Sequence, residues 1–398
     1  MARPVGSGRL RGLPTYAFAE IESRAAALRE RGVDVIDFGV GDPTAPTPER
    51  VREAARAAVD RHAEAGYPVY AGSIDFRRAA ADWIRRRFGA DVDPDREVSA
   101  TIGSKEAIFH LAKALLDPGD VAIVPSPGYP PYARGAEFAE AAPHAYGLLP
   151  ENDFLPDLDS IPADVLSRAR LLWVNYPNSP TGACATADDL RRVAEFARRH
   201  DLIVASDEAY VDIWFDRPAP SMLEVARERT LSFFSLSKRS NMTGYRVGFV
   251  AGDAEVVGAL RRMKTNIDSG TPNFVQDAAI EALSDESHVA RMRDSYRRKR
   301  DVLCGAFESP GLQVRRPAGT VFVWLRLPEG AGDVEVARRL LEPDVACVAT
   351  PGSLIAQPLA DGRNPGAGHL RFALVPPEER VREAAARIAR IGTKGWTA

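Results

Sequence analysis

The sequence has little of several features that mark particular classes of protein. It contains 3 cysteines and 6 histidines in 398 residues. The cysteines, Cys184, Cys304 and Cys347, lie far apart and are odd in number, which argues against a disulfide framework. No two histidines have the HExxH spacing, so we expect no metal site. Unpaired thiols of this kind favour a reducing, cytoplasmic location.

Long hydrophobic runs and an excess of charge of one sign are also lacking. No apolar run approaches the roughly 20 residues that cross a bilayer, and the N-terminal segment lacks the apolar core of a signal peptide. Lys and Arg number 52 against 55 for Asp and Glu, giving a formal net charge of −3. We therefore expect neither a nucleic acid nor a membrane as partner.

The sequence does contain short apolar segments that alternate with helical patterns in its central third. These segments cover 171–175, 202–206, 231–235 and 247–251. Strands of this kind predict an α/β fold whose central sheet is mainly parallel and has helices on both faces. After about residue 272 the pattern changes to long helices, then strands, which predicts a smaller α+β domain. The expected division is 1–45 (N-terminal arm and small-domain segment), 46–272 (large domain) and 273–398 (small C-terminal domain).

Polar residues follow the predicted strands at the edge where ligands bind in open α/β sheets. The strands over 171–175, 202–206 and 231–235 are followed by Asn178, by Asp207 and Tyr210, and by Ser235 and Lys238, respectively. Gly103-Ser104-Lys105 opens a helix, where free N–H groups favour a phosphate. Taken singly, each residue is also explained as a solvated side chain, a helix cap or a turn.

Together these groups meet the chemical requirements of pyridoxal 5′-phosphate (PLP). The cofactor needs an amine that forms an imine with its aldehyde, and a carboxylate that keeps its pyridine nitrogen protonated. It also needs donors for its phenolic oxygen, an anion-binding cup for its phosphate and a flat face for its ring. The set of residues therefore predicts a PLP enzyme.

Five segments resemble the motif series of the class I/II aminotransferases, the fold-type I PLP enzymes. In chain order they are GSKEAIFHLAKALLDPGD, NYPNSPTGA, SDEAYVDI, SLSKRSNMTGYRVGF and HLRFALV. The similarity extends from about residue 13 to the C-terminus. It implies the PLP-dependent transferase fold, PLP as cofactor, and amino-group transfer between an L-amino acid and a 2-oxo acid, with glutamate and 2-oxoglutarate as one such pair.

The resemblance also implies roles for individual residues. Lys238 would form the imine with the cofactor and act as general base at the substrate Cα. The other implied cofactor contacts are Asp207 at the pyridine nitrogen, Asn178 and Tyr210 at the phenolic oxygen, Tyr129 against the ring, and Ser104, Lys105, Ser235 and Arg246 at the phosphate.

Substrate and subunit contacts follow from the same resemblance. Arg371 would hold the substrate α-carboxylate in a bidentate pair beside the backbone of Gly41. Tyr16 resembles a substrate-facing tyrosine, although it could equally pack the N-terminal arm. Tyr67, with Tyr70 as the alternative, would reach the phosphate of a neighbouring subunit. The resemblance thus implies a homodimer with shared active sites.

Substrate-related motifs point in more than one direction. FLPDLDSIP, SNMTG and TNIDSG resemble LL-diaminopimelate aminotransferases, whereas SLSKRSN, FVAGD and the closing PGSLIAQPLADGRNPGAGHLRFALV resemble N-succinyl-diaminopimelate aminotransferases. GLPTYAF and TIGSKE also occur in alanine-type relatives. Residues 265–270 offer Asp268 but no arginine, which disfavours an aspartate-specific enzyme.

Three other classes remain as alternatives. A C–S lyase, or a decarboxylating or cyclising enzyme of the same fold, would differ in substrate positioning more than in motif. The effector-binding half of a transcription regulator would need a DNA-binding domain before the fold, and only about a dozen residues precede the similar region. A dinucleotide enzyme would need a glycine-spaced helix start, whereas Gly39-Val40-Gly41 is followed by Asp-Pro-Thr.

Overall fold

The computed structural model describes residues 5–11 and 19–396. The α-helices are α1 (Gly8–Arg11), α2 (Ala19–Glu30), α3 (Glu49–Arg61), α4 (Ile74–Phe88), α5 (Ser104–Leu115), α6 (Pro131–Phe138), α7 (Ala163–Leu166), α8 (Ala187–Arg199), α9 (Leu236–Arg239), α10 (Ala254–Lys264), α11 (Asn273–Ser284), α12 (Ser287–Glu308), α13 (Asp333–Leu340) and α14 (Glu378–Ala389). The strands are β1 (Ile36–Asp37), β2 (Val98–Thr101), β3 (Val121–Ser126), β4 (Ala142–Gly147), β5 (Ala169–Asn175), β6 (Ile203–Asp207), β7 (Thr230–Ser235), β8 (Gly248–Gly252), β9 (Phe322–Arg326), β10 (Cys347–Val348), β11 (Thr350–Pro351) and β12 (His369–Ala373). Single 3₁₀ turns cover Pro150–Asn152, Leu158–Ser160, Met222–Glu224, Thr243–Tyr245, Gly352–Leu354 and Thr393–Trp396.

The large sheet has the order β2-β8-β7-β6-β5-β3-β4. Neighbours from β4 to β7 run parallel, and β8 runs antiparallel to both β7 and β2. Every residue of β3 and β7 is buried, as expected for strands that are covered on both faces. The predicted mainly parallel sheet is therefore confirmed, with an antiparallel edge formed by β2 and β8.

Adjacent residues of β7 enter different hydrophobic clusters because successive side chains of a strand point to opposite faces. Phe234 packs with Trp83 of α4 and Phe249 of β8. Phe233 packs on the other face, where its ring lies 5.3 Å from that of Trp173 of β5. This packing on both faces fixes the position at which β7 ends in the sheet, and therefore the position at which α9 begins.

A smaller unit joins the two ends of the described chain. β12 pairs antiparallel with β11 and β9, and β1 pairs parallel with β10. The N-terminal segment is thus hydrogen-bonded to the C-terminal part of the chain. One cluster of buried residues, which includes Ile21, Phe38, Leu303, Phe372 and Ile388, holds these elements together.

The division into 1–45, 46–272 and 273–398 stays a prediction, and α11 bears on its second boundary. Val275, Ala278 and Ala279 of α11 are buried in the same cluster as Val51 of α3 and Phe76 of α4. A boundary after α11 therefore fits the packing better than one at residue 272. Within the described residues, no helix is both long enough and apolar enough to cross a membrane.

Candidate active site

A cavity of 670 Å³ opens where the strands of the large sheet end and the smaller unit begins. Asn175 of β5 lies in register with Asp207 of β6, which in turn lies in register with Phe233 of β7. The carboxyl ends of these parallel strands therefore deliver their following residues to one place. The sequence-predicted residues that line the cavity are Gly41, Ser104, Lys105, Tyr129, Asp207, Tyr210, Ser235, Lys238, Arg246 and Arg371.

Lys238 lies in α9, the short helix that directly follows β7. Its Nζ donates a hydrogen bond of 2.6 Å to the carbonyl oxygen of Gly41. Burial lowers the pKa of this amine from 10.5 to about 8, with Arg246 and Arg371 acting in the same direction and Asp42 in the opposite one. A useful fraction of the amine is therefore neutral near pH 7, as a nucleophile or base requires.

Asp207 ends β6 and is buried. The hydroxyl of Tyr132 donates to its Oδ2 at 2.6 Å, and the backbone N–H of Ala209 donates to its Oδ1 at 3.1 Å. Burial raises the pKa of this carboxyl, whereas the two hydrogen bonds oppose that rise. The Tyr132 ring is itself fixed by stacking on Trp173, with 4.6 Å between the centroids. The result is a carboxylate held in one orientation at the cavity wall.

The N-terminus of α5 and Arg246 form a second polar region of the cavity. Gly103, which precedes the helix, has φ of +69°, and a Cβ at this position would lie 2.3 Å from Nη2 of Arg246. Ser104 and Lys105, the first two helical residues, line the cavity together with Arg246. Free N–H groups, a helix dipole and a guanidinium at one place make a favourable environment for an anion.

Two phenols border the same cavity. Burial raises the pKa of Tyr129 to about 12 and raises that of Tyr210 as well. Their hydroxyls therefore stay protonated at neutral pH and act as hydrogen-bond donors. The ring of Tyr210 makes an edge contact with Phe322, at 5.7 Å between centroids.

Arg371 enters the cavity from β12 of the smaller unit. Its Nη2 donates to the carbonyl oxygen of Gly39 at 2.8 Å and to Oγ1 of Thr350 at 3.4 Å. Its guanidinium lies 4.6 Å from the centre of the Phe322 ring. An apolar ring below and a polar backbone beside it hold a planar cation, which suits recognition of a carboxylate.

Asn178 does not line the cavity, and its predicted contact with the phenolic oxygen stays a prediction. Its Oδ1 accepts hydrogen bonds from the backbone N–H and the hydroxyl of Thr181, and its Nδ2 donates to the carbonyl oxygen of Asn175. These hydrogen bonds stabilise the turn and keep the Asn178 side chain buried inside it. Asn175 and Ser179 line the cavity in its place.

The two tyrosines considered for contact with a neighbouring subunit lie on the surface. The side chains of Tyr67 and Tyr70 do not line the cavity of their own chain and are 90% and 42% exposed. Tyr16 lies outside the described residues.

Sequence reasoning missed several residues that the fold brings to the cavity. Tyr132 could have been found, because it lies one residue past Pro131 in the segment SPGYPPY and three past Tyr129. Ser237 of α9 also lines the cavity. Glu22, Arg29 and Asp37 come from α2 and β1, and only the tertiary packing of the N-terminal segment brings them there.

The family model described as "Aminotransferase class I and II" matches residues 33–388. The chain belongs to this family. It is a transaminase of the PLP-dependent type, which confirms the resemblance found in the motifs.

Relatives of this aminotransferase include the LL-diaminopimelate aminotransferase of Aquifex aeolicus, which is 43% identical over 386 residues covering 96% of this chain and 98% of the relative. Among solved structures, a single mutant of Thermus thermophilus aspartate aminotransferase superposes with a TM-score of 0.90 at 32% identity, covering 98% and 100% of the two chains. A probable N-succinyldiaminopimelate aminotransferase from the same organism superposes with a TM-score of 0.87 at 35% identity, covering 94% and 99%.

Proposed function

We propose that this aminotransferase carries PLP on Lys238 and takes its amino group from LL-diaminopimelate or a closely similar diamino diacid, with a 2-oxo acid such as 2-oxoglutarate as acceptor. The observation that supports it most is the convergence of Lys238, Asp207 and Arg246 on one cavity together with the names of its relatives. The predicted cytoplasmic location is part of the same proposal.

The donor set of the cavity fits the cofactor. Gly103 leaves room beside Arg246 that a Cβ would fill, and that room suits a phosphate between the guanidinium and the first turn of α5. Asp207 offers a buried carboxylate for the protonated pyridine nitrogen. Tyr129 would cover one ring face, and Tyr210 would donate to the phenolic oxygen.

Ser179 is the residue that we propose at the remaining position beside the phenolic oxygen, in place of Asn178. It lines the cavity, and its backbone N–H is fixed by a 2.8 Å hydrogen bond to Oδ1 of Asn175. Asn175 in turn donates from Nδ2 to the backbone carbonyl of Asp207 at 2.7 Å. These two bonds tie the turn to the strand that carries the carboxylate.

When bound, PLP supplies an electron sink that stabilises negative charge developing at the substrate Cα. The pKa of the Lys238 amine is lowered to about 8 at the cavity, so this amine can accept the Cα proton near neutral pH. It can then donate that proton to the carbon that was the aldehyde carbon of the cofactor. Arg371 would fix the α-carboxylate and thereby set which substituent of Cα faces Lys238.

A homodimer with shared sites belongs to the same proposal. Tyr67, Val69, Tyr70, Ile267 and Phe274 are large hydrophobic side chains that are at least 40% exposed. The loop that contains residues 67–70 adjoins the loop that contains residues 267–270. A Cβ on Gly270 of the second loop would lie 2.9 Å from the carbonyl oxygen of Val69 in the first. Apolar exposure on this scale favours contact with another subunit.

The variants Tyr67→Phe and Tyr70→Phe distinguish which tyrosine reaches the partner's phosphate. The affinity of each dimeric variant for PLP is compared with that of the wild type. Equal affinities in both variants and the wild type argue against either contact.

The test of the proposed reaction is a half-reaction screen of the PLP-loaded protein. LL-Diaminopimelate, its N-succinyl derivative, glutamate, alanine and aspartate are mixed separately with the enzyme, and the cofactor spectrum is followed to the pyridoxamine form. We expect the fastest conversion with LL-diaminopimelate and full reversal by 2-oxoglutarate. Release of pyruvate and ammonia from cysteine-like compounds, without conversion to the pyridoxamine form, would instead indicate a lyase.

A further inference from the structure

Charged side chains of α2 and β1 line the cavity, and the proton transfer at Lys238 has no need of them. Glu22 and Arg29 come from α2, and Asp37 comes from β1. Nη2 of Arg29 and Oδ2 of Asp37 form an ion pair at 2.8 Å, with side chains 46% and 43% exposed. A cation and an anion are thus held side by side at a half-open part of the cavity wall.

This ion pair is joined to Arg371 through Gly39. The carbonyl oxygen of Gly39 accepts from Arg371 at 2.8 Å, and its N–H donates to Oδ1 of Asp37 at 2.9 Å. Two residues of chain extend at most about 7 Å, so the backbone at Asp37 lies within that distance of the backbone that holds Arg371. A Cβ on Gly39 would lie 3.2 Å from Oδ1 of Asp37 and 3.0 Å from Cγ1 of Val348, so a glycine allows this close arrangement.

The spacing suits a substrate with two amino-acid heads. In a 2,6-diamino diacid the two α-carbons are separated by four carbon–carbon bonds of about 1.5 Å each, so they lie at most about 6 Å apart, which is compatible with the limit of about 7 Å between the backbone at Asp37 and the backbone that holds Arg371. A guanidinium beside a carboxylate complements a carboxylate beside an ammonium. Since an exposed ion pair is worth only about 0–1 kcal/mol, exchanging its internal contact for contacts with a substrate loses little.

We propose that Arg29 and Asp37 select donors that carry a second, unmodified amino-acid head, with Arg29 binding the distal carboxylate and Asp37 the distal ammonium. This inference rests on the proposed function and names the residues that decide its substrate. Acylation of the distal nitrogen removes the positive charge that faces Asp37, so the site discriminates against N-succinyl donors. Glu22, on the same face of α2, adds negative charge to the region that receives the ammonium.

The test compares three donors in the half-reaction of the PLP-loaded enzyme: LL-diaminopimelate, its mono-N-succinyl derivative, and L-norleucine, which has a side chain of similar length but no distal head. The variants are Arg29→Gln and Asp37→Asn. Asparagine keeps an oxygen that accepts from the Gly39 N–H, so Arg371 retains its support. The control is Arg24→Gln, because Arg24 also lies on α2 but pairs with Glu20 and does not line the cavity.

We expect the second-order rate for LL-diaminopimelate, divided by that for norleucine, to fall about 10- to 100-fold in Arg29→Gln, the loss associated with a charged hydrogen bond. Arg24→Gln keeps the wild-type ratio. Asp37→Asn lowers the preference for LL-diaminopimelate over its N-succinyl derivative by a similar factor.

Two results would overturn the inference, and they differ in what they imply. If the wild type prefers LL-diaminopimelate while Arg29→Gln slows all donors equally, the selection by Arg29 is wrong and the proposed function stands. If the wild type transaminates norleucine at least as fast as LL-diaminopimelate, the proposed substrate class and the inference both fail.

Discussion

The pKa of Lys238 provides a prediction that can be worked through from the structure. With a pKa of about 8, roughly a tenth of this amine is neutral at pH 7, whereas an ordinary lysine with a pKa of 10.5 would be neutral to about 0.03%. The cavity therefore raises the reactive fraction roughly 300-fold. Since only the neutral amine attacks an aldehyde, covalent capture of PLP by the apoprotein should accelerate as pH rises and level off above about pH 8.

Substitution of Asp42 distinguishes this explanation from a general effect of pH on the capture of PLP. Its negative charge raises the pKa of Lys238, against the burial that lowers it. Asp42→Asn should therefore move the midpoint of capture below pH 8. The rate at pH 7 should increase by at most roughly tenfold, because about a tenth of the wild-type amine is already neutral.

The assay mixes apoprotein with PLP in a stopped-flow instrument and follows the absorbance of the covalent product between pH 6 and 10. Using one PLP stock for all proteins removes the cofactor's own ionisation from the ratio of rates. Asp188→Asn serves as the matched control, since this carboxylate is 78% exposed on α8 and does not line the cavity. A wild-type midpoint near 10.5, or a midpoint that rises in Asp42→Asn, would refute the reasoning.

Three further predictions concern the surroundings of the site. Tyr132→Phe removes the donor to Oδ2 of Asp207, so the pKa of Asp207 should rise. The dissociation constant for PLP, measured by equilibrium titration, should increase about 10-fold. An unchanged dissociation constant contradicts this role of Tyr132. Gly103→Ala places a Cβ against Arg246 at a positive φ, which should destabilise the fold by about 1–3 kcal/mol and weaken protection by inorganic phosphate in thermal unfolding; equal protection of variant and wild type would count against the anion cup. Glu208 is buried, and burial raises its pKa from 4.5 to about 7, so its contribution favours folding below pH 4.5 and is lost as pH rises through 7. Glu208→Gln should therefore remove up to about 3 kcal/mol of the difference in unfolding free energy between pH 5 and pH 8; urea unfolding curves with the wild-type pH dependence would show that Glu208 does not titrate there.

Much of the fold could be predicted because its determinants are local. Strands buried on both faces, such as β3 and β7, contain no charged residue, and the residues at the ends of parallel strands occupy one edge of the sheet. The places of Asp207 and Lys238 followed from that rule together with the motifs.

What could not be predicted depends on packing between distant parts of the chain. The contribution of Arg29 and Asp37 to the cavity requires β1 to pair with β10, more than 300 residues away, and no local pattern encodes that pairing. The turn at Asn178 was hard to predict for a different reason: a turn that contains both asparagine and threonine can use the amide internally, and sequence spacing does not reveal which of Asn178 and Ser179 faces the cavity.

The most direct measurement of the central claim is the location of the covalent cofactor. The PLP-loaded protein is reduced with borohydride and digested, and the peptides are mapped by mass spectrometry. The account predicts a single pyridoxyl group on Lys238. Lys299 is the informative comparison, because burial also lowers its pKa to about 8 although it does not line the cavity. A pyridoxyl group on Lys299 or any other lysine, with Lys238 unmodified, would contradict the account.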